Sequence, residues 1–215
     1  MPTSGIWPNS EQNIVLTGFM GTGKSSVARE LAALLGCGVI ELDAEIEKNA
    51  GISIAEIFAR HGEQRFREME TGAAKKAAGK RGLIISTGGG VVLRAENMEA
   101  LRSSGVVFCL TAAPETILKR TGGNRERPLL QTPDPLGKIR QLLDARAPYY
   151  RTSCDHMIDT EDKTPKEVAQ AQQLAGQLVA HAANLNVTAQ RQGERLAEAR
   201  RALALVLPPE MTQAD

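Results

Sequence analysis

Residues 13–25 read NIVLTGFMGTGKS. The first six, NIVLTG, form a short apolar run that stops at glycine, as a buried parallel strand does. Residues 18–25, GFMGTGKS, fit the pattern G-x-x-x-x-G-K-[ST] through Gly18, Gly23, Lys24 and Ser25. KSSVARELAALLG follows, with Val27, Leu31, Leu34 and Leu35 at helical spacing and Gly36 as a stop. Strand, glycine loop and helix therefore come in the order a phosphate-binding loop requires. Glycines admit backbone conformations barred to other residues, so successive N–H groups turn inward and form an anion nest. The helix N-terminus adds about half a positive charge. Lys24 is expected to reach the outer phosphates and Ser25 to offer its hydroxyl to Mg²⁺. Gly21, Thr22, Gly23, Lys24, Ser25 and Ser26 are the candidate nucleotide contacts. A plain glycine-rich turn is the bland alternative, and the flanking strand and helix argue against it.

Outward from this loop the pattern repeats. GVIELD (38–43) reads as a second strand, LIISTGGG (83–90) as a third, GVVFCLT (105–111) as a fourth and CDHMIDT (154–160) as a short fifth. SIAEIFARHGEQRFREMETGAAKKAAG (53–79) reads as helix, with Ser53 three residues before Glu56 as a capping box. Thr164, Pro165 and Glu167 start a closing helix in the same way. Strands alternating with helices predict an α/β architecture with a parallel sheet, whose ligands lie outside the carboxyl ends of the strands. Residues 1–12 read as a loose leader, 13–181 as the domain, and 182–215 as an Ala/Arg/Glu-rich tail, helical in part.

The charge balance narrows the function classes. Twenty-six basic and 25 acidic residues leave a formal charge of +1, which gives no reason to expect nucleic acid or an anionic membrane. Seven aromatic residues (four Phe, two Tyr, one Trp) make no stacking platform. Three distant cysteines without a CxxC pair favour a reducing compartment, and no apolar run approaches the ~20 residues of a membrane span. A cytoplasmic protein is the expectation. No N-K-x-D motif for guanine is present, and the third strand ends in STGGG where many ATPases place an aspartate.

A second ligand is suggested near the strand ends. Glu41 and Asp43 alternate by two and share a face of the second strand. Phe58, Gly62, Glu63, Phe66, Arg67 and Glu70 lie on the long helix, and Gly88, Gly89 and Gly90 offer bare N–H groups. Each has a bland reading: Arg67 paired with Glu63 or Glu70 on a helix surface, Asp43 as the N-cap of the next helix. RTGGNRERPLLQTPDP (120–135) reads as a mobile lid whose arginine swings onto the phosphates. The helix after it ends near Arg146, a second cation for the pocket.

GFMGTGKS, ELDAEIE, FARHGEQRFREME, STGGG, RTGGNRERPLL and RAPYY, in this order, resemble the shikimate kinases, a group within the nucleoside-monophosphate-kinase-like P-loop folds. The resemblance covers residues 13 to about 160. It implies a three-layer α/β/α fold with a five-stranded parallel sheet in the order 2-3-1-4-5. It implies a monomeric enzyme that uses ATP with Mg²⁺ to make shikimate 3-phosphate on the route to chorismate and aromatic amino acids. It also implies roles. Asp43 would hold shikimate hydroxyls, Arg67 and Arg146 its carboxylate, and Gly89, within Gly88–Gly90, would give it a backbone contact. Arg127 would reach the transferring phosphate, Arg120 would lie on the adenine side, and Ser25 would bind the metal. The family usually has Asp where this chain has Glu41 and often Ser-Thr where it has Ser25-Ser26, and the tail has no counterpart. Two rivals share the loop: another small-molecule kinase such as a gluconate kinase, and a non-catalytic nucleotide-binding module acting through its tail.

Overall fold

The computed structural model describes residues 12–122, 130 and 132–170 of the 215. The expected tail, the leader up to residue 11 and the central part of the lid, Arg127 included, lie outside the described residues.

The run NIVLTG forms β1 (Asn13–Gly18), buried along its whole length. It is the middle strand of a five-stranded parallel sheet in the order β2-β3-β1-β4-β5. The other strands are β2 (Gly38–Glu41), β3 (Leu83–Ser86), β4 (Gly105–Thr111) and β5 (His156–Asp159). Val15 pairs with Ile85 on one side and Val107 on the other, and all three are wholly buried. Such continuous apolar strands are stable only when helices cover both faces of the sheet. The covering helices are α1 (Lys24–Leu35), α2 (Leu42–Ala50), α3 (Ile54–Ala78), α4 (Ala95–Ser104), α5 (Pro114–Thr121) and α6 (Pro135–Ser153). A further helix begins at residue 165, and Thr164 and Glu167 make the expected reciprocal cap. Among the described residues no helix is long and apolar enough to cross a membrane.

Several boundaries differ from the sequence reading. β2 stops at Glu41, and Leu42 and Asp43 already belong to the first turn of α2. The wholly buried Leu42 turns the chain into the helix there. β3 ends at Ser86, and Thr87 makes a last pair of bonds to the Leu16 carbonyl before the glycines leave the sheet. The long helix keeps its Ser53–Glu56 capping box but breaks its helical dihedrals at Gly62, where φ is 77°. α6 does not end near Arg146 but continues through Pro148 to Ser153. Proline there removes one donor to the Asp144 carbonyl, and the buried Arg146 and Tyr150 on either side hold the helix on course. On α1, Val27 and Leu31 are buried as expected, while Leu34 is 39% exposed.

Asn13, at the start of the central strand, is wholly buried. Its amide donates to the Lys80 carbonyl at 2.7 Å and accepts from the Leu83 N–H at 3.0 Å, tying β1 to the turn before β3. Asn13→Ala removes both ties, and the expected loss is about 1–3 kcal/mol of stability, two bonds at about 0.5–1.5 each. Urea unfolding measures it. A midpoint equal to wild type refutes the tie.

Candidate active site

The loop between β1 and α1 is built around backbone groups. Gly23 is the N-cap of α1 with φ 92°, a left-handed conformation that suits glycine. No side chain caps this helix and its first turn carries no acid, so its leading N–H groups are left for an anion. The loop is braced from within: the Thr22 hydroxyl donates to the Phe19 carbonyl at 2.8 Å. Lys24 is only 9% exposed. Its ammonium donates to the Gly18 and Phe19 carbonyls at 2.8 and 2.9 Å, because the buried cation takes the nearest oxygens. A charge held at this mouth suits a polyphosphate.

Glu41 and Asp43 line the same pocket although one ends a strand and the other sits on a helix. Asp43 is not the N-cap of α2. Glu41 holds that position without making a side-chain cap, and Asp43 is exposed in the helix's first turn. The Ser25 hydroxyl donates to Glu41 Oε2 at 2.6 Å. Two hard oxygen donors beside a phosphate loop fit Mg²⁺, which takes one or two protein oxygens and completes its shell with phosphate and water. Among the described residues no three His, Cys, Asp or Glu side chains gather into an all-protein metal cage.

The second cluster forms a pocket of its own. Arg67 is one-tenth exposed, and both bland pairings occur at once: Glu63 accepts at 2.9 Å and Glu70 at 2.8 Å. Burial works against the guanidinium's charge, but the two carboxylates raise its pKa above the ordinary value. Glu70 is 1% exposed. Burial raises its pKa and the Asp43 charge adds to the rise, while Arg67 and Arg146 oppose it. Its Oε1 has no hydrogen-bond partner among the described residues. The glycines are needed for close approach as well as for their N–H groups. A methyl group at Gly90 would overlap the Arg67 guanidinium. One at Gly88 would lie 2.7 Å from Asp43 Oδ1 and 2.8 Å from Glu70 Oε1. Across the pocket Arg146, 5% exposed, donates to the Gly89 carbonyl at 3.2 Å and lies 5.6 Å from the Phe19 ring centroid. The Tyr150 hydroxyl donates to the same carbonyl at 2.6 Å.

The two cavities, about 430 Å³ at the phosphate loop and about 860 Å³ at the arginines, share three lining residues: Met20, Asp43 and Gly89. Gly21 to Ser26 line the first; Arg67, Gly88, Gly90 and Arg146 line the second. Arg120 closes the far end of the first, with its guanidinium on the Thr160 hydroxyl and carbonyl at 3.0 and 2.9 Å. Met20, Phe19, Tyr150 and Thr160 were not singled out from sequence. Tyr150 lies four residues after Arg146, one helical turn on, a signal hidden by taking the helix to stop before Pro148.

A family model described as shikimate kinase matches residues 20–175. The shikimate kinase of Caldanaerobacter subterraneus subsp. tengcongensis is 48% identical over 159 residues, covering 74% of this chain and 92% of that protein. That of Geobacter sulfurreducens is 47% identical over 168 residues, covering 76% and 92%. The solved shikimate kinase of Acinetobacter baumannii in complex with shikimate superposes with a TM-score of 0.75 at 37% identity, covering 79% of this chain and 94% of that one. With a family model over most of its length, relatives at 47–48% identity and a solved structure of the same fold, the chain belongs to the shikimate kinase family.

Proposed function

We propose that this protein transfers the γ-phosphoryl group of ATP to the 3-hydroxyl of shikimate, giving shikimate 3-phosphate and ADP. The observation that carries this reading is the junction of the two cavities at Asp43 and Gly89, with the phosphate loop on one side and Arg67 and Arg146 on the other. A donor in the first and an acceptor in the second meet only there. Phosphoryl transfer needs in-line positioning and charge neutralisation more than covalent help from the protein.

Each residue then has a task. The loop N–H groups from Gly21 to Ser26 hold the triphosphate, and Lys24 swings from its carbonyl partners to the outer phosphates. Ser25, with Glu41 behind it, would hold Mg²⁺, which neutralises the phosphate charge. Arg67 and Arg146 bind the acceptor's carboxylate as a two-sided clamp, and Gly88–Gly90 bring bare backbone against the ring. Asp43 accepts a hydrogen bond from the 3-hydroxyl and takes its proton as that oxygen bonds to phosphorus. The bond to the bridging oxygen breaks and ADP leaves. Arg120 borders the base of the nucleotide, and Arg127 reaches the transferring group from the lid. All these groups come from one chain, so a monomer suffices.

A coupled ADP-release assay with shikimate, gluconate or no added acceptor tests the reading. Turnover is expected with shikimate alone; equal ADP release without an acceptor overturns it. Arg67→Ala should raise KM for shikimate by about tenfold or more with KM for ATP little changed, since charged hydrogen bonds contribute about 1.5–3 kcal/mol each. A rise confined to the ATP KM moves Arg67 to the nucleotide site. Lys24→Ala should lower kcat by about a hundredfold or more, the usual size for losing a preorganised charge-stabilising donor. Wild-type kcat in that variant refutes the loop's role.

A further inference from the structure

One peptide unit touches both arginines of the clamp. The Gly89 carbonyl accepts from Arg146, and the α-carbon of Gly90 lies against the Arg67 guanidinium so closely that no side chain fits between them. The Gly89–Gly90 unit is thus a spacer between two cations on different helices, Arg67 on α3 and Arg146 on α6. Its orientation is set by whatever holds the Gly89 carbonyl, because a trans peptide is a rigid plane with its N–H opposite its C=O. Glycine residues on both sides give that plane no side-chain anchor of its own.

The anchor comes from α6. Tyr150 is 5% exposed and its hydroxyl meets the Gly89 carbonyl at 2.6 Å, shorter than the Arg146 bond at 3.2 Å to the same oxygen. Arg146 and Tyr150 are one helical turn apart and so share a face. Burial raises the phenol's pKa above the ordinary tyrosine value against the pull of Arg146, so the hydroxyl keeps its proton and remains a donor. We propose that Tyr150 is a positioning residue for acceptor binding: its hydroxyl pins the Gly89–Gly90 peptide, and thereby sets the gap between the two guanidiniums that receive the substrate's carboxylate. Without that hydroxyl the carbonyl has Arg146 as its remaining donor, and a guanidinium edge needed by the substrate is drawn onto the protein's own backbone. The Tyr150 hydroxyl acts on the Gly89 carbonyl beside Arg146, which lines the acceptor cavity, so its influence falls on acceptor binding.

This inference rests on the shikimate reading above, and the test separates the two. Wild type and Tyr150→Phe are compared in the same assay. The expected result is a five- to tenfold higher KM for shikimate, with KM for ATP and kcat within about twofold; tenfold corresponds to about 1.4 kcal/mol. A shikimate KM within twofold of wild type, accompanied by a lower thermal midpoint, makes Tyr150 a packing residue and overturns the proposal. Wild type that fails to turn over shikimate sinks the proposed function. Active wild type with an indistinguishable variant sinks only the role of Tyr150. A second measurement covers a variant that does not fold. The chain has two tyrosines, so Tyr149→Phe protein grown on 3-fluorotyrosine carries one fluorine probe, at Tyr150. Its ¹⁹F resonance is expected to move on saturation with shikimate as Arg146 turns from the carbonyl to the ligand. An unmoved resonance in the presence of bound shikimate overturns the proposal.

Discussion

Parallel pairing of β1 with β3 and β4 is the constraint on which the site depends. Because the three strands run the same way, their carboxyl ends lie at one edge of the sheet. The phosphate loop leaves β1 at Gly18, and the triple glycine begins two residues after Ser86, the end of β3. Thr87 is still bonded to Leu16 at that point, so the two glycine segments start side by side. The approach of Gly89 to Met20 N and Gly18 O follows directly: a methyl on Gly89 would sit 3.1 and 3.4 Å from them. Two binding segments some 70 residues apart in sequence become neighbours because apolar strands must pair before anything at their ends can meet.

The charges at that edge are held against burial. Arg67, Glu70, Arg146 and Lys24 are all at most one-tenth exposed, and each has partners that keep it charged or satisfied. Glu70 is the weak member, with one oxygen on Arg67 and the other without a partner. A buried ion pair of this kind adds little net stability, since desolvation offsets much of the attraction. Its consequence is geometric: the guanidinium is fixed before a ligand arrives, so less order has to be imposed on binding.

Much of this was legible in the chain. The glycine loop, the capping boxes at Ser53 and Thr164 and the five apolar runs each depend on residues close together in sequence, and each appears in the structure. The errors fall where distant packing overrides a local signal. Leu42 ends β2 two residues early because its burial requires a turn into helix. Pro148 fails to end α6 because residues on both sides of it are locked into the core. The bland pairing of Arg67 does not keep it out of the cavity, since Glu70 holds it from the buried side and Glu63 from the exposed side while its guanidinium lines the pocket.

The sequence by itself determined the secondary elements, the anion nest and the identity of the charges, because these follow from local spacing, backbone freedom and side-chain chemistry. Only the tertiary structure decided which of the charges face one another. Asp43 as the wall between two cavities, the Ser25–Glu41 contact and the shared hold of Arg146 and Tyr150 on one carbonyl all join segments from different elements. Such contacts depend on strand order and helix packing, which a linear pattern does not encode, because the energy that selects them is spread over the whole buried core.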